Sequence, residues 1–212
     1  HIETMQSRRV FIFYGYGRHL DQQTAYRRQR KMIIRDRCFG AITIRSEGHV
    51  SIDNFTGSWA GAMGQSQFMP TSFLSYAVDG NGDGKKDIWS TPEDVFASIA
   101  NFLSKEGWNG EQTWGRQVKL SERFDISTLN KYAGLAKDKM QIMSAWDTLG
   151  VTRFDDTALP NVNVRASLIL PDDATGRIYL AYNNFHTLMR WNRSLYFGVS
   201  VGYLADRISK GS

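Results

Sequence analysis

The chain has 212 residues, 42% of them hydrophobic and 22% charged, with a formal net charge of +5. This length suits one domain or two small lobes and supplies enough apolar residues for a core. The single cysteine, Cys38, excludes an internal disulfide and a cysteine-based metal site, and no apolar run approaches the length of a membrane span.

The positive charge is concentrated in residues 1–46, where ten Lys and Arg face only three acidic residues. This segment is atypical and basic, and only residues 25–34 predict a helix. A nucleic-acid-binding surface would need basic residues on one organised face with interleaved aromatic side chains, so we expect no nucleic-acid partner. The chain opens His1-Ile2-Glu3 without an initiating Met or a signal peptide, which indicates an excised or truncated piece, so any targeting segment would have been lost upstream.

Residues 57–70 form a glycine-rich stretch without charge, GSWAGAMGQSQFMP. Glycine permits a positive φ or a close approach of the backbone to a ligand. The amides of Gln65 and Gln67 can hydrogen-bond to hydroxyl and acetamide groups. The stretch therefore suits a neutral polar polymer, although a buried turn before a helix over residues 70–78 explains the same composition.

Residues 79–90, DGNGDGKKDIWS, match the start of a calcium-binding loop. The twelfth position is Ser90 instead of Glu, so a bidentate ligand would have to come from Glu93 or Asp94. A plain Asp/Asn/Gly turn without an ion remains the alternative. The expected ligands of a structural Ca²⁺ are Asp79, Asn81, Asp83, the backbone carbonyl of Lys85, and Asp87.

Further elements follow in order. A helix begins at Pro92, with Thr91 as its cap, and ends before Gly107. Residues 116–135 are polar without a clear element, and residues 137–149 predict a helix. A loop over 151–163 then leads to two strands at 164–170 and 177–182. An amide-rich helical turn begins at Asn183. The last predicted helix, 194–208, has Leu195, Val199, Leu204 and Ile208 on one face.

The ordered motifs resemble the B-type lytic murein transglycosylases. The glycine-rich stretch and the Asp/Gly loop ending Asp87-Ile88-Trp89 match this family, and its later signatures are similar to residues 114–116, 182–185 and 190–194. The resemblance implies an α+β, mostly α, lysozyme-like fold with a small β region near the C-terminal part. Residues 47–212 would be the murein-binding and transglycosylase core, and residues 1–46 the remnant of the catalytic-helix region.

The family cleaves the β-1,4 bond between N-acetylmuramic acid and N-acetylglucosamine and leaves a 1,6-anhydromuramyl end. The resemblance assigns the catalytic acid and base to Glu3, within His1-Ile2-Glu3-Thr4. One carboxyl suffices because the C6 hydroxyl of the sugar is the nucleophile, whereas a glycoside hydrolase uses two carboxyls. The implied substrate-binding residues are Ser58, Met63, Gln65, Gln67, Phe68, Tyr182, Asn183, Asn184 and Trp191.

The resemblance implies a peptidoglycan strand as partner and the periplasm or cell envelope of a Gram-negative-type bacterium as location. No cofactor is needed for the chemistry, we expect a monomer, and no membrane anchor is visible. The family has a helical region before its catalytic Glu, and two residues stand there in this chain. An enzyme impaired by truncation is thus one expectation. A murein-binding module without activity and a lysozyme-type hydrolase are the alternatives.

Overall fold

The computed structural model describes residues 23–211, with side chains from residue 35. Its helices and its five-stranded sheet form an α+β fold, which confirms the predicted class. The chain divides into two compact units, and the boundary in the sequence lies between Phe102 and Leu103. The division at residues 46 and 47 stays a prediction. Within the described residues, no helix has the length and apolar character that a bilayer crossing requires.

In the described part of the first unit there are three helices, α1 (Gln23–Ser46), α2 (Pro70–Tyr76) and α3 (Pro92–Lys105), the last of which continues past Phe102. All three confirm predicted helices, and α1 extends well beyond residues 25–34. Pro70 and Pro92 each open a helix, where a proline costs no intrahelical hydrogen bond. The buried apolar side chains of this unit are Ile44, Val50, Met63, Phe68, Phe73, Ala77, Ile88, Val95 and Phe102.

An antiparallel sheet organises the second unit, and its strand order is β2-β4-β5-β1-β3. The two strands predicted from apolar runs are confirmed as β4 and β5. Successive residues of β5 are buried on both faces, with Leu180 in one apolar cluster and Tyr179 in the other. The strands are β1 (Gly115–Leu120), β2 (Gln141–Ile142), β3 (Val151–Arg153), β4 (Arg165–Ile169) and β5 (Ile178–Ala181).

Helices cover both faces of the sheet. The helices of this unit are α4 (Leu129–Tyr132), α5 (Met143–Thr148), α6 (Asn183–Trp191) and α7 (Leu195–Ser209). Trp146 of α5 is fully buried in the cluster on one face, and its indole nitrogen donates to the Ala166 carbonyl at 3.0 Å. Phe185 of α6 is fully buried in the cluster on the other face.

The predicted helix over 137–149 is confirmed only for Met143–Thr148, and its first part is wrong. A 3₁₀ turn (Lys137–Lys139) and strand β2 precede a helix that begins only at Met143. Gln141 pairs with Ala166 and Ile142 with Arg165, so the backbone of this segment joins the sheet. Two other strands were missed: β1 lies in the segment predicted to be polar and irregular, and β3 begins the predicted loop over 151–163.

The predicted apolar face of the last helix needs correction, although α7 itself is confirmed. Leu204 and Ile208 are 59% and 71% exposed. Leu195 and Val199 do pack against the apolar cluster, as predicted, and the buried Gly198 and Gly202 complete the contact. A Cβ atom at Gly202 would lie 2.3 Å from the Trp114 ring, so only glycine allows this approach. Side-chain periodicity could not show a contact made by residues without side chains.

Candidate functional site

The glycine-rich stretch is a compact double turn in the first unit. The Ser58 amide donates to the Ala62 carbonyl and the Met63 amide to the Phe68 carbonyl, both at 2.8 Å. Gly61 and Gly64 have φ of +89° and +62°. These left-handed conformations explain why glycine stands at both positions. Gln67 has φ +52°, and its side-chain nitrogen donates to the Gly64 carbonyl at 2.7 Å.

This turn is fixed to residues 88–89, at the end of the Asp/Gly loop. The Gln65 amide donates to the Ile88 carbonyl at 2.8 Å, and the Gln65 side-chain nitrogen donates to the Trp89 carbonyl at 2.9 Å. A Cβ atom on Gly64 would lie 2.5 Å from the Ile88 carbonyl oxygen. Gly64 therefore serves both a positive φ and a close backbone approach.

The predicted sugar-binding residues of the turn divide by burial. Met63 and Phe68 are 1% and 3% exposed, so they form its apolar base. Gln65 and Gln67 are exposed, and Ser58 is half-buried. The Ser58 hydroxyl accepts a hydrogen bond from the Ala62 amide at 3.1 Å, which gives it a part in holding the turn. The two glutamines are thus the polar side chains of the turn most open to a ligand.

Trp89 was not among the predicted site residues. Its indole nitrogen donates to the Thr56 carbonyl at 2.7 Å, and its ring packs against Phe55 and Phe73 at centroid distances of 5.6 and 5.8 Å. Together with the bond from Gln65, these contacts brace the turn from one side. The family motif ending Asp87-Ile88-Trp89 was the only sequence signal for this role.

A second group of predicted residues surrounds α6 in the second unit. Asn184 has no exposed surface. Its side-chain oxygen accepts from the Asn109 amide at 2.8 Å, and its nitrogen donates to the carbonyls of Asn109 and Gln112 at 2.8 and 2.7 Å. Direct contact with a sugar, which the sequence predicts, does not fit a buried and fully bonded amide. Asn184 instead shapes the loop over residues 109–112.

The other predicted site residues near α6 differ from Asn184 in their exposure and hydrogen bonds. Asn183 is exposed, and its side-chain nitrogen donates to the Gly107 carbonyl at 3.3 Å. Trp191, at the end of α6, is half-buried. Tyr182 is 5% exposed, and its hydroxyl accepts a hydrogen bond from Nε of Arg116. Burial raises the pKa of the Tyr182 hydroxyl, against the lowering effect of the Arg116 charge, so it is neutral at ordinary pH.

The Asp/Gly loop folds around its own carboxylates. Asp79 accepts hydrogen bonds from the amides of Gly82 and Gly84 at 2.6 and 2.7 Å, and these bonds, led by that of Gly84, lower the pKa of Asp79. Gly82 and Gly84 have φ of +81° and +85°. The side-chain oxygens of Asn81 and Asp83 accept from backbone amides two residues further on. Asp87 accepts from the Trp89 and Ser90 amides.

Asp94 closes this loop at both ends. Its carboxylate is completely buried and accepts from the Gly80 amide at 2.7 Å and from the Asp87 amide at 2.6 Å. The sequence predicts Asp94 as a substitute ligand, and the structure gives it this different role. A carboxylate held by two backbone amides is not free to move to a metal without breaking them.

The loop offers the hard oxygen donors that Ca²⁺ prefers, so its chemistry fits that ion. However, across residues 35–211 no three His, Cys, Asp or Glu side chains are gathered as a metal site. The remaining ligands would have to be Asn81, the Lys85 carbonyl and water. Calcium binding by Asp79, Asn81, Asp83, Lys85 and Asp87 therefore stays a prediction. Glu3, the predicted acid, lies outside the described residues.

An α+β chain with these two ordered loops and α6 after β5 matches a class of enzymes that act on bacterial cell walls. The family model described as the transglycosylase SLT domain matches residues 21–206. The chain belongs to this family.

Known relatives agree with this assignment. The membrane-bound lytic murein transglycosylase B of Escherichia coli K12 is 34% identical over 157 residues, which are 74% of this chain and 40% of the relative. The structure of SltB3 from Pseudomonas aeruginosa in complex with NAG-anhNAM-pentapeptide is 39% identical, with a TM-score of 0.75 over 82% of this chain and 45% of that one. The chain thus spans less than half the length of these relatives.

A third relative is relevant to the predicted calcium site. The structure of the Escherichia coli lytic transglycosylase Slt35 in complex with calcium is 27% identical, with a TM-score of 0.68 over 86% of this chain and 55% of that one. These structural matches confirm the predicted lysozyme-like fold.

Proposed function

We propose that this chain carries the murein site of a lytic transglycosylase, which cleaves the β-1,4 bond between N-acetylmuramic acid and N-acetylglucosamine and leaves a 1,6-anhydro end. The observation that carries the proposal is membership of the transglycosylase family, together with the muropeptide bound to SltB3. The charge-free turn at residues 57–70 supports it, because two exposed glutamine amides above an apolar base suit a neutral sugar.

Glu3 is the proposed acid and base. It first protonates the glycosidic oxygen, and as a carboxylate it then takes the proton of the C6 hydroxyl while that oxygen attacks the anomeric carbon. The leaving sugar departs with the first proton and no water is consumed, so the carboxyl returns to its starting state. An acid in this role needs a raised pKa, which an apolar environment supplies. The apolar base formed by Met63 and Phe68 is the proposed source.

The other residues bind and orient the strand. Gln65, Gln67 and Ser58 are proposed to contact acetamide and hydroxyl groups, and Asn183 and Trp191 to contact sugar or peptide. Tyr182 has a neutral phenol hydroxyl, and Asn184 supports the loop over residues 109–112. We propose a monomer that acts on peptidoglycan in the cell envelope, on the periplasmic side. A structural Ca²⁺ in residues 79–90 would hold the Asp/Gly loop without a part in the chemistry.

Substitution Glu3→Gln tests the mechanism. Loss of a general acid and base should reduce the release of soluble muropeptides from purified murein by about 100- to 10,000-fold. Binding to murein should persist, because the amide keeps the size of the carboxyl. Glu122→Gln, a change of an exposed carboxyl in the second unit, is the control and should retain full activity.

Mass spectrometry of the products from the parent protein separates the alternatives. Anhydro ends support a transglycosylase, reducing ends would indicate a hydrolase, and binding without products would indicate a murein-binding module. Full turnover by the Glu3→Gln variant would contradict the assignment of Glu3.

A further inference from the structure

A pocket that the proposed mechanism does not use opens on the second unit. Its volume is about 530 Å³, and it lies where the edge strand β3 runs beside β1. Antiparallel pairing sets Val118 opposite Arg153, and the two-residue period of a strand places Arg116 on the same face of β1 as Val118. The lining residues are Arg116, Gln117, Arg153, Phe154 and Asp155.

Both arginines of the pocket lack a carboxylate partner. Neither guanidinium forms a salt bridge within residues 35–211, where Lys119 and Arg190 do. Nε of Arg153 is buried and has no hydrogen-bond partner in the described part of the chain. A buried, unpaired donor on a cation is costly unless a ligand supplies the acceptor. Nε of Arg116 donates to the Tyr182 hydroxyl, which leaves its terminal nitrogens for other acceptors.

Asp155 does not neutralise this pair. Its carboxylate accepts hydrogen bonds from the hydroxyl and the amide of Thr157. These bonds, and then the charge of Arg153, lower the pKa of Asp155, so it stays ionised. Two arginines and one aspartate give the lining a net charge of one positive unit. That balance favours a ligand with a single negative charge over a phosphate dianion.

We propose that this pocket binds a carboxylate of the stem peptide of murein. Guanidinium groups hold carboxylates through paired N–H donors, and the half-exposed ring of Phe154 offers an apolar surface to the adjoining side chain. The position fits, because Arg116 contacts Tyr182, one of the residues that the family resemblance assigns to substrate binding. The identity of the ligand rests on that function, whereas the preference for a carboxylate rests on the pocket alone.

Calorimetry with two forms of one probe tests the proposal. NAG-anhNAM-pentapeptide with free carboxylates should bind to the parent protein about tenfold more tightly than the same compound with its carboxylates converted to amides. Arg153→Gln should abolish this difference, while binding of the amidated probe stays unchanged. Arg116→Gln should do the same, and Arg153→Lys should retain only part of the preference because it keeps the charge without the paired donors.

The matched control is Arg177→Gln, which removes the same charge from an exposed position of the same unit outside the pocket. It should preserve the preference for the free acid. Equal binding of both probe forms to the parent protein, or an undiminished preference in a folded Arg153→Gln variant, would overturn the proposal. Displacement of the free acid by inorganic phosphate at equal concentration would also overturn it, in favour of a phosphate site.

Failure of the proposed function would give a different result. In that case the amidated probe, which retains the disaccharide, would not bind at all, and murein digestion would yield no anhydro ends.

Discussion

Two adjacent amides, Asn183 and Asn184, show how burial decides the role of a residue. Asn183 is exposed and makes one weak bond, whereas Asn184 is enclosed and satisfies three backbone groups of residues 109–112. The sequence predicts the same substrate-binding role for both, because both lie in the same family signature at the start of a helix. Only the packed structure separates an exposed amide from one that supports a loop.

Asn184→Ala should therefore cost stability. The substitution removes the side-chain partner of the Asn109 amide and of the Asn109 and Gln112 carbonyls, three part-buried hydrogen bonds that each contribute about 0.5–1.5 kcal/mol. We expect a loss of roughly 2 kcal/mol or more in the free energy of unfolding, measured by urea denaturation. Asn183→Ala is the matched control and should lose no more than about 0.5 kcal/mol. Equal losses in both variants would contradict the assigned difference.

His186 gives the protein a pH-dependent stability. Its Nε2 lies 3.2 Å from the Ser167 hydroxyl, and burial, followed by the charges of Arg190 and Lys137, lowers the pKa of His186. The unfolded chain therefore binds this proton more readily than the folded protein does. Stability contributed by His186 is complete above its unfolded pKa of about 6.5 and is lost as the pH falls through that value toward the folded pKa.

The melting temperature should consequently fall when the pH is lowered from about 7.5 to about 5.5, and the melting temperature of the His186→Gln variant should fall less over the same range. Glutamine keeps an amide that can bond to Ser167 but takes up no proton. Differential scanning calorimetry of both proteins at the two pH values measures the effect. An identical drop in the variant would show that other groups cause it.

At the scale of elements, the Asp/Gly loop combines strong local design with an incomplete ligand set. Asp79, Asn81 and Asp83 already hold the loop by hydrogen bonds to its backbone, and Asp94 fixes both ends. The loop can thus keep its shape through these bonds alone. An ion would add to that order by binding the oxygen donors of the loop.

Calcium should raise the melting temperature of the parent protein, and the rise should grow with concentration, since a ligand that binds only the folded state stabilises it. Asp79→Ala combined with Asp83→Ala should abolish the rise. Asp138→Ala, at an exposed carboxylate outside the loop, is the control and should keep it. If calcium leaves the melting temperature of the parent protein unchanged, the loop is a plain turn.

At the scale of the whole molecule, local signals explain what the sequence could predict. Prolines marked the starts of α2 and α3, the spacing of apolar residues marked α7, and apolar runs marked β4 and β5, because these features depend on neighbours in the chain. Strand β1 was not predicted because Arg116, Gln117 and Lys119 give it a polar sequence. Only its pairing with β3 and β5 defines it as a strand. The arginine pocket was out of reach for the same reason, because strand pairing brings its residues together.

The site shows the same division. The turn at residues 57–70 and its glycines follow from composition, and the family resemblance adds the substrate. The burial of Met63, Phe68 and Asn184 depends on contacts that no local pattern reveals. Residues 88–89 are a further case, since nothing in their own sequence shows that they are bonded to Gln65.

Residues 88–89 connect the glycine-rich turn to the Asp/Gly loop. Their carbonyls accept hydrogen bonds from Gln65 of the turn, and the amide of the preceding Asp87 donates a hydrogen bond to Asp94. A ligand that favours one arrangement of this shared segment must change the affinity of the other loop for its own ligand. Thermodynamic reciprocity makes the factor equal in both directions. If Ca²⁺ raises the affinity of the protein for murein fragments, those fragments will raise its affinity for Ca²⁺ by the same factor. Titration of either ligand in the presence and absence of the other would measure the coupling.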